Sequence, residues 1–271
     1  IGMKKFAVIG SPISHSLSPS IYTAFAKMLG VDIQYDAIEV KLENFEEQLN
    51  HLFSSGYSGL NVTLPLKEKA FSFSTKRSEI CSLTKSANTL WQEDGVLFAD
   101  STDGKGLMED LISKGLTVEG SNIVILGAGG SAKAILPSLL EAKPNEIFIL
   151  NRTLSKAEEI VEIYINNTTK ITAGPLNEKL PFKSDGIINT TSAGLLGQEI
   201  VCPENLFSDQ AWCYDLNYAD VTTNFNKLAK KNKISKAYDG MGMLLRQAAL
   251  SFEIWTDLTP DVDKAIEMLK K

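Results

Sequence analysis

Between residues 121 and 218 the chain repeats one arrangement: a short apolar run, a turn, then a stretch with helical spacing. The runs lie in "SNIVILGAGGSAKAILPSLLEA", "EIFILNRTLSKAEEIVEIY", "GIINTTSAG" and "AWCYDLNY". Continuous rather than alternating apolar strands are buried on both faces, so these belong to a parallel sheet covered by helices. A helix over Gly104–Lys114 leads into this region, and two helix patterns, Met243–Trp255 and Pro260–Lys270, follow it with no strand between them.

The first hundred residues also alternate strand and helix, less regularly. "KKFAVIG" reads as a strand. "SPSIYTAFAKMLG" reads as a helix with Ser18 as N-cap, Pro19 in the first turn and Gly30 as the stop. "IQYDAIEV" is a strand, and "NFEEQLNHLFSSG" a helix with Asn44 and Glu47 at capping-box spacing. In "GLNVTLPLKEK", Leu60, Val62 and Leu64 share one strand face and Asn61 and Thr63 the other. Pro65 then opens a helix with Lys67 in its first turn. "ANTLWQEDGVLFAD" is a hairpin turning at Asp94-Gly95.

Two α/β units therefore meet near Asp103, a division that suits 271 residues. With 44% hydrophobic and 22% charged residues the composition is that of a soluble globular protein. The net charge of −6 argues against a general nucleic-acid binder but leaves room for a local basic pocket. No segment approaches the apolar length that spans a bilayer, and the apolar run of "MKKFAVIGSP" is too brief for a signal peptide. Cys81, Cys202 and Cys213 read as idle thiols in a reducing compartment, which makes cytoplasm the expected location. No Cys/His spacing suggests a metal.

Gly127, Gly129 and Ala132 stand at G-x-G-x-x-A spacing after a strand and at the opening of a helix. Glycines there let the backbone approach a pyrophosphate seated on the helix N-terminus. The next strand ends at Asn151-Arg152, where an NAD site would usually place a carboxylate for the ribose. Arg152, with Lys156 one turn on, instead suits a 2′-phosphate, so NADP is favoured over NAD. In the first unit, Ser16 and Ser18 fit a capping role taken singly, as does Asp103 at a helix start, and "SANT" supplies Asn88 and Thr89. Lys67 with a nearby carboxylate to orient it can move a proton at a hydroxyl, as hydride transfer to a nicotinamide requires.

The ordered set "SLSP", "NVTLPLK", "NT", "STDGKG", "GAGGSAKA", "NRT", "NTTSAG", "DLNY" and "DGMGMLLRQA" resembles the shikimate dehydrogenase family across nearly the whole chain. The resemblance implies NADP(H)-dependent interconversion of 3-dehydroshikimate and shikimate, in aromatic amino-acid biosynthesis. It implies a substrate domain over residues 1–102, completed by helices at 239–271, and a Rossmann-type NADP-binding domain over 103–238. Lys67 and Asp103 correspond to the catalytic pair. Ser16 and Ser18 are expected at the substrate carboxylate; Asn61, Thr63, Asn88 and Gln247 at its ring hydroxyls, with Tyr218 close by. Gly127, Ala128, Gly129, Gly130 and Ser131 are expected at the pyrophosphate, and Asn151, Arg152, Thr153 and Lys156 around the 2′-phosphate. Thr191, Leu216, Gly240 and Met243 would border the nicotinamide. A monomer or homodimer is expected.

The chain departs from the family pattern at Tyr22-Thr23 (commonly His-Asn), at Lys85-Ser86-Ala87 and at Ser101 (commonly Asn). These changes are expected to tune loop contacts. A quinate/shikimate dehydrogenase is the nearest alternative, and a non-catalytic nucleotide-binding regulator the remote one.

Overall fold

The computed structural model describes residues 3–194, 197–219 and 221–269. The chain divides into two compact units, Ile1–Gly106 with Leu244–Lys271, and Leu107–Met243. The divisions fall at 106/107 and 243/244, a few residues beyond the 102/103 and 238/239 that the family resemblance implies. Both lie inside helices, since a sequence marks where a helix starts whereas packing decides which unit each turn joins.

The first unit contains β1 (Lys4–Gly10), α1 (Ser18–Leu29), β2 (Ile33–Glu39), α2 (Phe45–Ser54), β3 (Tyr57–Val62), α3 (Lys67–Phe73), β4 (Lys76–Arg77) and α4 (Glu79–Thr84). It continues through the hairpin of β5 (Thr89–Glu93) and β6 (Val96–Asp100). The sheet order is β2-β1-β3-β5-β6-β4. β1, β2 and β3 are parallel, and β5 runs antiparallel to both β3 and β6. Asp94 and Gly95 both take positive φ at the hairpin turn.

Three local expectations change. Leu17 holds the cap position of α1 with no side-chain cap, and Ser18 is the first helical residue. Asn44 makes no capping bond, because a 3-10 turn at Leu42–Asn44 already delivers the chain into α2. Pro65 stands outside α3: the Leu64–Pro65 bond is cis, Leu66 holds the cap position and Lys67 opens the helix. Leu64 is consequently exposed, whereas Leu60 and Val62 are buried.

The chain then runs through α5 (Asp103–Ser113), β7 (Asn122–Leu126), α6 (Gly130–Glu141), β8 (Glu146–Asn151), α7 (Leu154–Ile163), β9 (Lys170–Pro175), β10 (Gly186–Asn189), β11 (Trp212–Asp215), α8 (Asn224–Lys231) and β12 (Lys236–Tyr238). It ends in α9 (Met241–Thr256) and α10 (Val262–Leu269). Lys270 of the expected last helix lies outside the described residues.

The second sheet has the order β12-β11-β10-β7-β8-β9, and all its pairings are parallel. This is the doubly wound dinucleotide-binding order, with its switch point between β7 and β10. Along β7, Ile123 and Ile125 feed one apolar cluster and Val124 and Leu126 another. Both faces are buried, which accounts for the unbroken apolar runs. The separate core of the first unit gathers Ala7, Ile9, Leu60, Val62, Leu66 and Leu90.

Candidate active site

β3 ends at Val62 and α3 starts at Lys67, so this joint presents the Lys67 side chain at the end of the sheet. Asp103 stands at the first position of α5, just past β6. Lys67 Nζ meets Asp103 Oδ2 at 2.6 Å. Asp103 Oδ1 accepts from Asn88 Nδ2 at 3.2 Å. Asn88 Nδ2 also approaches Thr102 Oγ1 at 2.8 Å and Gln247 Oε1 at 3.0 Å, so two hydrogens serve three acceptors. Gln247 is on α9, and its amide is anchored by donation to the Leu244 carbonyl. Gly106 permits this: a Cβ there would lie 2.8 Å from Gln247 Cβ. Lys67, Asn88, Asp103 and Gln247 therefore form one connected group.

The other expected substrate residues lie differently. Ser16 is half-buried and its Oγ accepts from the Ser18 backbone N–H, while Ser18 is buried. Thr63 is half-buried at the β3 end, its N–H spent on the Ile9 carbonyl. Asn61 is buried, and its amide has no free position. Oδ1 accepts from the Tyr22 and Tyr35 hydroxyls, and Nδ2 donates to the Asn88 carbonyl and Ser251 Oγ. Tyr35, Thr102 and Ser251 escaped sequence reasoning, and Tyr22 stands out in the sequence only as a departure from the family pattern. Outside their own elements, the hydrogen-bond partners of these side chains are 14 to 226 residues away, and no local spacing encodes such pairs.

In the second unit a cavity of about 430 Å³ opens at the switch point. Gly127, Ala128, Gly129, Asn151, Arg152, Thr153, Lys156 and Thr191 line it, together with Glu199. Gly127 has φ +104°, and a Cβ there would press on Thr190 Oγ1. A Cβ at Gly129 or Gly130 would meet nothing within 4 Å, so the start of α6 is open to a ligand. Among the described residues neither Arg152 nor Lys156 forms an ion pair. A bare helix start beside two unpaired cations suits a phosphorylated dinucleotide.

Asn151 behaves differently from a free ligand. It accepts from the Ala128 N–H at 3.2 Å and donates to the Thr153 carbonyl at 2.7 Å, tying the glycine turn to the loop after β8. Ser131 is exposed in the first turn of α6.

Thr191 is held by Asn189 Oδ1, and Leu216 by the Asn189 carbonyl. Gly240 touches the Leu216 carbonyl so closely that a Cβ has no room. The Met243 N–H donates to the Tyr214 hydroxyl, which donates to the fully buried Asp110. Tyr218 is half-buried, and burial raises its phenol pKa.

Among the described residues no helix is long and apolar enough to cross a membrane, and no acidic, Cys or His group could hold a metal ion.

A doubly wound sheet with a glycine turn and free cations at its switch point, in one chain with a second α/β unit carrying a lysine–carboxylate pair, defines a two-domain nucleotide-dependent dehydrogenase. The chain belongs to the shikimate dehydrogenase family. Residues 8–90 match the family model described as the shikimate dehydrogenase substrate binding domain, 108–200 that of shikimate / quinate 5-dehydrogenase, and 240–269 the shikimate 5′-dehydrogenase C-terminal domain. A shikimate dehydrogenase (NADP(+)) of Legionella pneumophila is 43% identical over 269 residues, 99% of each chain. The Thermus thermophilus shikimate 5-dehydrogenase, solved in complex with NADP(H) and shikimate, superposes with a TM-score of 0.88 at 32% identity over 98% of each chain. An Ael1 enzyme from Pseudomonas putida gives 0.91 at 34% identity, also over 98% of each chain.

Proposed function

We propose that the protein interconverts 3-dehydroshikimate and shikimate with NADP(H), as an oxidoreductase of aromatic amino-acid biosynthesis. The observation that carries this reading is the Lys67–Asp103 pair, joined at 2.6 Å and bonded in turn to Asn88. NADPH, when bound, supplies a hydride to the carbonyl carbon. Lys67 Nζ gives a proton to the oxygen on that carbon, and takes it back from the hydroxyl in the oxidising direction. Asp103 Oδ2 holds the ammonium in place, and the Asn88 amide orients Asp103.

Around the ring we assign Thr63, Asn88 and Gln247 to hydroxyl groups and Ser16 and Ser18 to the carboxylate, with Tyr218 as a neighbour. Asn61 is kept out of this set because its four hydrogen-bond positions are filled by partners outside it or by backbone. Asn88 stays in it because one of its bonds is to Gln247, another member, and can be exchanged for a substrate hydroxyl. At the cofactor, Gly127 and the open turn Gly129–Ser131 take the pyrophosphate, and Arg152, Thr153 and Lys156 the 2′-phosphate. Ala128 and Asn151 shape the turn, and Thr191, Leu216, Gly240 and Met243 flank the nicotinamide. Three free thiols fit a reducing compartment, and the reading carries a cytoplasmic monomer or homodimer.

The test is NADPH appearance with shikimate or quinate and with NADP or NAD. The expected result is fastest turnover with shikimate and NADP. Turnover of quinate with NAD, and none of shikimate with NADP, would overturn the assignment.

A further inference from the structure

Beneath the Lys67–Asp103 pair the direction of each hydrogen bond from Asn61 to Asn88 can be read group by group. Tyr22 and Tyr35, stacked at 3.9 Å, donate to Asn61 Oδ1 at 2.6 and 2.7 Å, the Tyr22 hydrogen being shared with the Ala248 carbonyl at 3.0 Å. Asn61 Nδ2 then donates to the Asn88 carbonyl at 3.2 Å and to Ser251 Oγ at 3.1 Å. A flipped Asn61 would set its oxygen against the Asn88 carbonyl, which has nothing to donate. Ser251 Oγ lies 2.7 Å from Thr89 Oγ1, and the Thr89 hydrogen is committed to Asn88 Oδ1 at 2.9 Å. At that shorter contact, therefore, Ser251 donates, sharing its one hydrogen with the Gln247 carbonyl at 3.1 Å. The Thr102 N–H supplies the second donor to Asn88 Oδ1, at 2.9 Å. With its oxygen taken by two donors, Asn88 has only its NH₂ to turn toward Asp103.

We propose that Asn61, Ser251 and Thr89 are positioning residues: a one-way hydrogen-bond chain that fixes the Asn88 amide so that Nδ2 faces Asp103 and leaves Asp103 Oδ2 to Lys67. The chain starts at Tyr22, one of the positions where this sequence departs from its family's pattern, and recruits α9 through Ser251. All of its members lie within the unit Ile1–Gly106 with Leu244–Lys271. Neighbouring polar groups in one buried chain polarise one another, so a missing link changes the orientation of the next group along.

Thr89 separates polarity from packing. Thr89→Val keeps the shape and loses the hydroxyl; Thr89→Ser keeps the hydroxyl and loses a methyl. The inference rests on the proposed reaction, so two readouts are used. In shikimate oxidation, Thr89→Val lowers kcat about tenfold to a hundredfold, the scale of a misplaced reacting group, with KM within about twofold. Thr89→Ser retains most of the kcat although it unfolds at lower temperature. Exchange of the Asn88 side-chain amide hydrogens, followed by NMR without substrate, quickens at least tenfold in Thr89→Val and much less in Thr89→Ser. Equal losses in the two variants, or unchanged kcat and exchange in Thr89→Val, would overturn the positioning chain. If wild type does not oxidise shikimate but the amide exchange responds as stated, the proposed reaction fails and the chain stands.

Discussion

Lys67 Nζ and Asp103 Oδ2 form an ion pair in which the lysine side chain is 24% and the aspartate side chain 10% exposed. A pair this buried repays its own desolvation and adds little net stability while both partners are present, and it is short and held on its far side by Asn88. Its value lies in position. Lys67→Ala is expected to lower kcat by about 10²–10⁴, the range of a lost proton-transfer group, and to lower the melting temperature, because the buried Asp103 carboxylate is left without its cation. Turnover by NADPH absorbance and calorimetry check the two halves. Near-normal kcat would remove Lys67 from the proton step and leave Asp103 as the next candidate.

Arg152 and Lys156 line the switch-point cavity from exposed positions, so their loss leaves the fold intact. Arg152→Ala is expected to raise KM for NADP about tenfold or more, as when a charge-assisted bond to phosphate is lost. KM for NAD should stay within about twofold. Equal effects on the two cofactors would place the 2′-phosphate elsewhere.

Gly127 carries φ +104°, and its missing Cβ leaves the room that Thr190 Oγ1 occupies. Gly127→Ala is expected to cost about 1–3 kcal/mol from backbone strain, besides displacing Thr190. Denaturant unfolding reads the first effect and cofactor titration the second. Wild-type stability in this variant would mean that the turn relaxes freely.

Tyr214 bridges Asp110, to which it donates at 2.6 Å, and the Met243 N–H, from which it accepts at 3.2 Å. Burial pushes its phenol well above the ordinary value, so it remains a neutral donor. Tyr214→Phe leaves both partners short of a bond in the interior. The expected loss is about 1–3 kcal/mol, seen as a lower denaturation midpoint.

Burial pushes the Cys81 and Cys213 thiols up to about 12. A folded value above the unfolded one stabilises the fold below the ordinary thiol value of 9.0, and that stability is lost as pH climbs towards 12. The Cys81→Ala protein should therefore lose less stability than wild type between those pH values, measured by denaturant titration. At neutral pH a thiol reagent should label the half-buried Cys202 first, and Cys81 and Cys213 only on unfolding.

The second unit was the more legible in sequence. Strands such as Ile123–Leu126 bury both faces, so their apolar runs survive any reading frame, and the turn at Gly127 is written in residues next to one another. Short edge strands were not legible: Lys170–Pro175 and Lys236–Tyr238 pair on one side only, and their few residues form no apolar run. Pro65 was misplaced because its fixed φ suits a helix start equally well when the preceding bond is cis.

By itself the sequence determined the alternation of strands and helices, the glycine turn, the cations after β8 and the residue types at Lys67, Asn88 and Asp103. These are local, set by periodicity and by neighbours in the chain. The tertiary structure alone decided what those side chains are free to do. Asn61 and Thr63 look alike on one strand face, yet Asn61 spends all four hydrogen-bond positions on Tyr22, Tyr35, Asn88 and Ser251. A hydrogen bond is satisfied by whatever lies within about 3 Å in space, and sequence carries no distance between residues 61 and 251.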